Sequence, residues 1–329
     1  MARHPWVAQA DAGVRFGVLA TGARGLTSPG GGEHGWLMHD DPVREILATA
    51  RVAEEIGLDT VFVPETPRLF PDPLVTLAAL AMTTARVRLG SLVIVAPFRH
   101  PALLARMVAD VDRFSGGRLV LGLGIGETER QFRTIDARWG SVATRRAALD
   151  EAIEIATRLW ISEPLTFEGR YYRVEDMRVA PGPRQTPGPP LLIAGSGDGT
   201  LAQVVRRGDA CNLFGGPDQV GERLARLDEI CDAAGRPRNE VLRSYYDFPV
   251  LATSSAEAEA KLRRVMTEDV IAARGARGLL VVGTPDQAVA HYRSLVHAGI
   301  QYFTVNLADT ADHETLRLLA TEVVPRLTA

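Results

Sequence analysis

The chain has 329 residues, 46% hydrophobic and 23% charged, an ordinary globular composition at a length that suits two average domains or one large α/β barrel. Its 37 Lys and Arg nearly balance 40 Asp and Glu, leaving a formal charge of −3 without a basic stripe, which argues against nucleic acid or an anionic membrane as partner. Cys211 and Cys231 form no CxxC pair, so a disulfide scaffold and a multi-cysteine metal module fall away; no apolar run approaches the ~18 residues of a membrane span.

The opening "MARHPWVAQADAG" has no apolar leader core, so the simplest expectation is a cytoplasmic protein. Residues 14–20 read as a strand and are followed by a glycine-rich loop, 22–40. Asp41 and Pro42 then open a helix that stops at Gly57, the pairing of an N-cap with a proline at the first helical position. A strand at 60–65 leads to a second Asp-Pro helix start, Asp72 and Pro73. "RLGSLVIVAPFRHPALLA" holds a third apolar strand, 89–95, whose exit is rigid and whose next helix begins at Pro101. A fourth strand, 117–126, precedes the helix "ATRRAALDEAIEIATRLW".

Residues 161–190 break the alternation and read as a hairpin excursion around Glu168-Gly169. Strands follow at 191–197, 209–215, 242–252 and 301–307, with helices in the intervals and "HETLRLLATEVVPRL" at the end. Eight strands that read as apolar runs, interleaved with helices, predict one (β/α)8 TIM barrel over 1–329, with the hairpin inserted between strands 4 and 5. An open doubly wound sheet is the competing architecture.

A barrel of this kind carries its chemistry at the C-terminal strand ends, here Glu65, Ser91 to Val95, Gly124 to Glu127, Gly195 to Gly199, Asn212 and Asn306. "GLGIGE" (122–127) has Glu127 where a dinucleotide fingerprint has its third glycine. It reads either as bare backbone for a flat ligand or as small residues for tight packing. "LLIAGSGDGTLAQVV" (191–205) sets a glycine turn before a helix, an arrangement that favours phosphate, against the plainer reading of a turn without a ligand.

Glu65 and His34 are the expected acid/base pair, mouth-facing groups able to move protons near neutral pH, with His39 in reserve. A solvated loop histidine is the plainer account of His34 and His39. His100 is expected to cap its helix, and His291, His297 and His313 receive no role. No metal-ligand spacing and no G-x-S-x-G elbow occurs, so no metal is expected.

The block "LGSLVIVAPFRHPALLARMVADVDRFSGGRLVLGLGIG" resembles the luciferase-like flavin or deazaflavin oxidoreductases, as do "AEEIGLDTVFVPE", "TRRAALDEAIEIATRLW" and "FEGRYYRV". "PPLLIAGSG" with "GDACNLFGGPDQV" is more similar to the branch using the deazaflavin F420. The resemblance implies that the third strand passes under the flavin ring, with a non-proline cis peptide near Leu92–Val93. It makes Arg99 and His100 scaffold. It implies cofactor contacts from Ser91, Leu92, Val93, Gly124, Gly126, Gly195, Ser196, Gly197 and Thr200.

This chain departs from that branch in having Asp198-Gly199, and no Lys or Arg, before Thr200. Tail contacts then fall to backbone N–H groups, Ser196, Thr200 or an arginine such as Arg145 or Arg146. The implied activity is hydride transfer between reduced F420 and a small organic substrate. An FMNH2-dependent monooxygenase using O2 is the alternative, with FMN as cofactor and a reductase as a partner; a homodimer is expected in either case. The loop 22–40 reads as a lid. A non-redox phosphate-binding lyase or isomerase, and a flavin-binding barrel without turnover, are the remaining classes. Very few lysines, none at strand ends, count against the former.

Overall fold

The computed structural model describes residues 3–28, 35–161 and 163–327. Strand β1 (Arg15–Leu19) is followed by a small antiparallel hairpin, β2 (Ala23–Leu26) and β3 (Trp36–Met38), and then by β4 (Thr60–Val63). The third barrel strand comes in two pieces, β5 (Arg88–Ser91) and β6 (Ile94–Val95), and β7 (Leu119–Gly124) is the fourth. The antiparallel pair β8 (Leu165–Glu168) and β9 (Arg173–Met177) is the expected hairpin insertion. Next come β10 (Leu191–Ala194), β11 (Ala210–Leu213), β12 (Leu242–Leu251), β13 (Leu280–Gly283) and β14 (Tyr302–Asn306).

The parallel order β10-β11-β12-β14-β1-β4-β5-β7 closes because β7 also pairs with β10, Leu191 opposite Leu121. Closure decides against the open sheet. The helices begin as the residues dictate: Asp41 accepts from the Arg44 N–H at 3.0 Å, and Asp72 from Leu74 at 2.9 Å and Val75 at 3.1 Å. Gly57, which follows the first of these helices closely, sits at φ +78°, a conformation open to glycine at no cost.

Two apolar layers follow from the two faces of each strand. Phe16, Val18, Val61, Val63, Phe303 and Val305 point outward into the layer shared with the helices. Leu19, Phe62, Val120, Leu192, Leu242 and Tyr302 fill the inside, with Trp6 of the short helix Pro5–Ala8 packed among them. Trp6 is fully buried, meets the Tyr302 ring edge-on at 5.5 Å and donates from Nε1 to Asp59 at 3.2 Å, so it stoppers the N-terminal end of the barrel.

One element departs from expectation. The interval after residue 252 reads as helical, yet it contains β13, a four-residue run after Gly278 (φ +65°). Strand β12 is long enough to serve two partners: Ser244–Asp247 pair with β14 inside the barrel, and Phe248–Leu251 pair with β13 outside it. Among the described residues, no helix is long and apolar enough to cross a membrane.

Candidate active site

The exit of the third strand is built around Glu65. The peptide bond between Leu92 and Val93 is cis, where β5 gives way to β6. One Glu65 oxygen accepts from the Val95 N–H at 2.7 Å and the other pairs with the Arg99 guanidinium, which also holds Asp72 at 2.6 Å. Burial pushes the Glu65 carboxyl above its ordinary value, against the opposing pull of Arg99. His100 Nδ1 accepts from the Ala102 N–H at 3.3 Å, a cap for the helix starting at Pro101. The Pro-Phe-Arg-His-Pro sequence thus ties strand, carboxylate and next helix together.

A cavity of about 550 Å3 opens at the C-terminal strand ends. Glu65, Leu92, Val93, Gly124, Gly126, Gly195, Ser196, Gly197 and Thr200 line it. Three other residues singled out in the sequence stand apart. Ser91 is fully buried between strands, its hydroxyl donating to the Gly122 carbonyl at 2.8 Å and accepting from the Gly122 N–H at 3.0 Å. His39 is engaged with Asp309 at 2.9 Å. Arg145 is turned into the protein, bonded to the carbonyls of Ile125 and Gly140, with its guanidinium 3.6 Å from the Trp139 ring centroid. His34 lies outside the described residues, as does the middle of the expected lid.

Of the adjacent pair it is Arg146 that faces the cavity, one position on and so about 100° further round the helix. Its Nε is buried without a hydrogen-bond partner among the described residues. It lies against Gly199, where a side chain would collide with its guanidinium. Gly199 belongs to the first turn of the helix Asp198–Arg207, whose N-cap Gly197 offers no side-chain cap. A Cβ at Gly197 would meet nothing within 4 Å. Asp198 points away, paired with Arg223 and Arg226, each at 3.0 Å, so its charge is answered outside the cavity.

The wall across from Leu92 and Val93 is formed by β12, β14 and the helix Glu268–Ala276. Tyr246, Asn306, Arg274 and Arg277 line it, with Phe214 and Trp36. Arg274 is 8% exposed, lies 4.5 Å from the Phe248 ring centroid, and its Nε has no hydrogen-bond partner among the described residues. Burial lowers its proton affinity, and the nearby Arg277 adds to this. Glu127, at the end of β7, brings a second carboxylate to the cavity. Arg274, Arg277 and Tyr246 escape a sequence reading because which side chains share a cavity is a property of three-dimensional neighbours. Asn306, at a strand end, is visible in advance.

The model of the luciferase-like monooxygenases matches residues 14–276. An F420-dependent glucose-6-phosphate dehydrogenase of Microbacterium testaceum is 29% identical over 316 residues, covering 86% of this chain and 93% of that one. The F420-dependent tetrahydromethanopterin reductase of Methanopyrus kandleri superposes with a TM-score of 0.78 at 19% identity, covering 96% of this chain and 99% of that chain. A monooxygenase of Streptomyces bottropensis does so at 0.76 and 27% identity, covering 94% and 99%.

Proposed function

The chain belongs to the luciferase-like monooxygenase family, and from that premise we propose an F420-dependent oxidoreductase that moves a hydride between the deazaflavin and a small anionic substrate. One observation carries the cofactor reading: an uncapped helix N-terminus at Gly197–Thr200 faces open space beside Arg146, a cation with an unused buried donor. Those residues fit a phosphorylated tail, and Leu92, Val93 and Gly124 offer the flat wall that a tricyclic ring requires. When bound, F420 supplies or accepts a hydride at C5 of its ring.

The chain's own residues divide the remaining work. Arg274 and Arg277 carry positive charge on the far wall, and a buried guanidinium without a carboxylate is costly unless a ligand supplies the anion. The glucose 6-phosphate of the M. testaceum relative is an anion of that class. Both Glu65 oxygens are already engaged, so Glu65 holds the strand exit. Glu127, whose carboxylate has no hydrogen bond or ion pair among the described residues, is the group free to take or give a proton. Trp36 and Phe70, edge-on at 6.0 Å, narrow the mouth and limit water entry.

The S. bottropensis likeness keeps an FMN-dependent, oxygen-using reading in view. Titration of the purified protein with F420 and with FMN, read by fluorescence, separates the two. Tight F420 binding without oxygen uptake by the reduced form is expected; FMN binding with uptake overturns the proposal. We also propose a cytoplasmic homodimer. Val75 and Met82 on one helix and Leu103 and Phe114 on the next are between 57% and 74% exposed, an apolar stripe suited to a second copy. Light scattering on a sizing column is the check.

A further inference from the structure

Tyr246 and Asn306 stand side by side on the far wall of the cavity, and their hydrogen bonding is incomplete. Asn306 is 1% exposed; its Nδ2 donates to the Tyr246 hydroxyl at 2.6 Å, and its Oδ1 is buried without a partner among the described residues. The Tyr246 oxygen is thereby used as an acceptor, and its own hydrogen has no acceptor among the described residues. Turning the amide over changes the atoms but still leaves both kinds of group unpaired. Tyr246 would then donate to Oδ1, leaving the amide N–H donors of Asn306 and a lone pair on the phenol unused. Either way the couple keeps both donor and acceptor capacity without a partner among the described residues.

Burial raises the Tyr246 phenol above its ordinary value, with Arg274 opposing, so it stays protonated at neutral pH. A ligand that completes this couple must both accept and donate hydrogen bonds at a single point. A carboxylate or a carbonyl only accepts and an ammonium only donates; a hydroxyl does both. The couple also faces the wall assigned above to the deazaflavin, with Arg274 alongside. We propose that Tyr246 and Asn306 seat the reacting hydroxyl of an alcohol substrate, whose anionic group lies toward Arg274. This rests on the F420 reading above.

In the oxidation direction the alcohol carbon gives its hydride to the deazaflavin and its oxygen gives up a proton, which Glu127 accepts. The carbonyl product has lost the hydrogen that satisfied the amide oxygen, so the couple holds alcohol more firmly than product. Leaving such a buried polar group unpaired discriminates strongly between two ligands of one shape.

The test compares each hydroxyl compound with its deoxy analogue by calorimetry, on the F420-loaded protein and on the protein as purified. Glucose 6-phosphate is set against 1,5-anhydroglucitol 6-phosphate, and lactate against propionate, so that the two arms separate phosphate from carboxylate. The hydroxyl member of one pair is expected to bind about tenfold tighter than its partner. Tyr246→Phe with Asn306→Leu should erase that ratio while leaving the affinities for the deoxy compound and for F420 unchanged. Tyr246→Phe alone keeps the ring on Phe248, 5.4 Å away, and should reduce the ratio in part. Equal binding of hydroxyl and deoxy forms by the wild-type protein, binding of neither hydroxyl compound, or weakened F420 binding in the variants overturns the proposal. Failure of the wild type to bind F420 strikes the cofactor reading instead, and the hydroxyl preference is then judged on the cofactor-free protein.

Discussion

The cavity holds two glycine clusters that look alike in one dimension and differ in three. At 122–126 the space a side chain would occupy is taken by protein. A Cβ on Gly122 would strike the Ser91 carbonyl, one on Gly124 would lie 2.6 Å from Val93 Cγ2, and one on Gly126 would strike the Phe132 ring. At 195–199 Gly197 looks into open space, and only Arg146 crowds Gly199. The first cluster lets the third and fourth strands touch, and it therefore sets where the Leu92–Val93 wall of the cavity lies. The second leaves backbone N–H groups uncovered beside a cation. Glycine in one region serves packing and in the other leaves the open space that the proposed tail contact needs.

Substitution at the two clusters should separate stability from binding. The largest effect is expected from Gly122→Ala, where the colliding atom is backbone and has no rotamer to escape into. Stability should fall by about 3 kcal/mol or more, read by urea unfolding. Arg146→Ala should leave the unfolding midpoint alone and weaken F420 binding at least about tenfold, the worth of a charge-assisted hydrogen bond. Gly197→Ala, at φ −74° with nothing near its Cβ, should keep full stability and lose affinity for F420 severalfold by filling the approach to the turn. A Gly197→Ala variant that unfolds early would erase the contrast between the clusters. The smallest effect is expected from Asp198→Asn, because Arg223 and Arg226 hold that carboxylate outside the cavity; F420 titration should barely change.

Much of the barrel is written in local chemistry. Asp41 with Pro42 and Asp72 with Pro73 announce helix starts, and apolar strand runs without alternation announce burial on both faces. β13 escaped because Leu280–Gly283 is four residues long and pairs with the far half of a strand already used elsewhere. The Leu92–Val93 cis bond was accessible only through family likeness, since nothing in Ser-Leu-Val-Ile marks it. Arg145 and Arg146 are indistinguishable as letters; the helix sends one to backbone carbonyls and the other to the cavity. The two readings of "GLGIGE" likewise needed the positions of Ser91, Val93 and Phe132.

Trp6 has a consequence for traffic. With the indole packed against Tyr302 and bonded to Asp59, the described residues close the barrel at its N-terminal end and leave it open at the other, like a cup. Under the proposed reading, coenzyme, reactant and product would share that open end, and a coenzyme along one side of the cup would leave its partner the remaining gap. The expected outcome is ordered binding, the deeper molecule first in and last out, which product-inhibition kinetics checks.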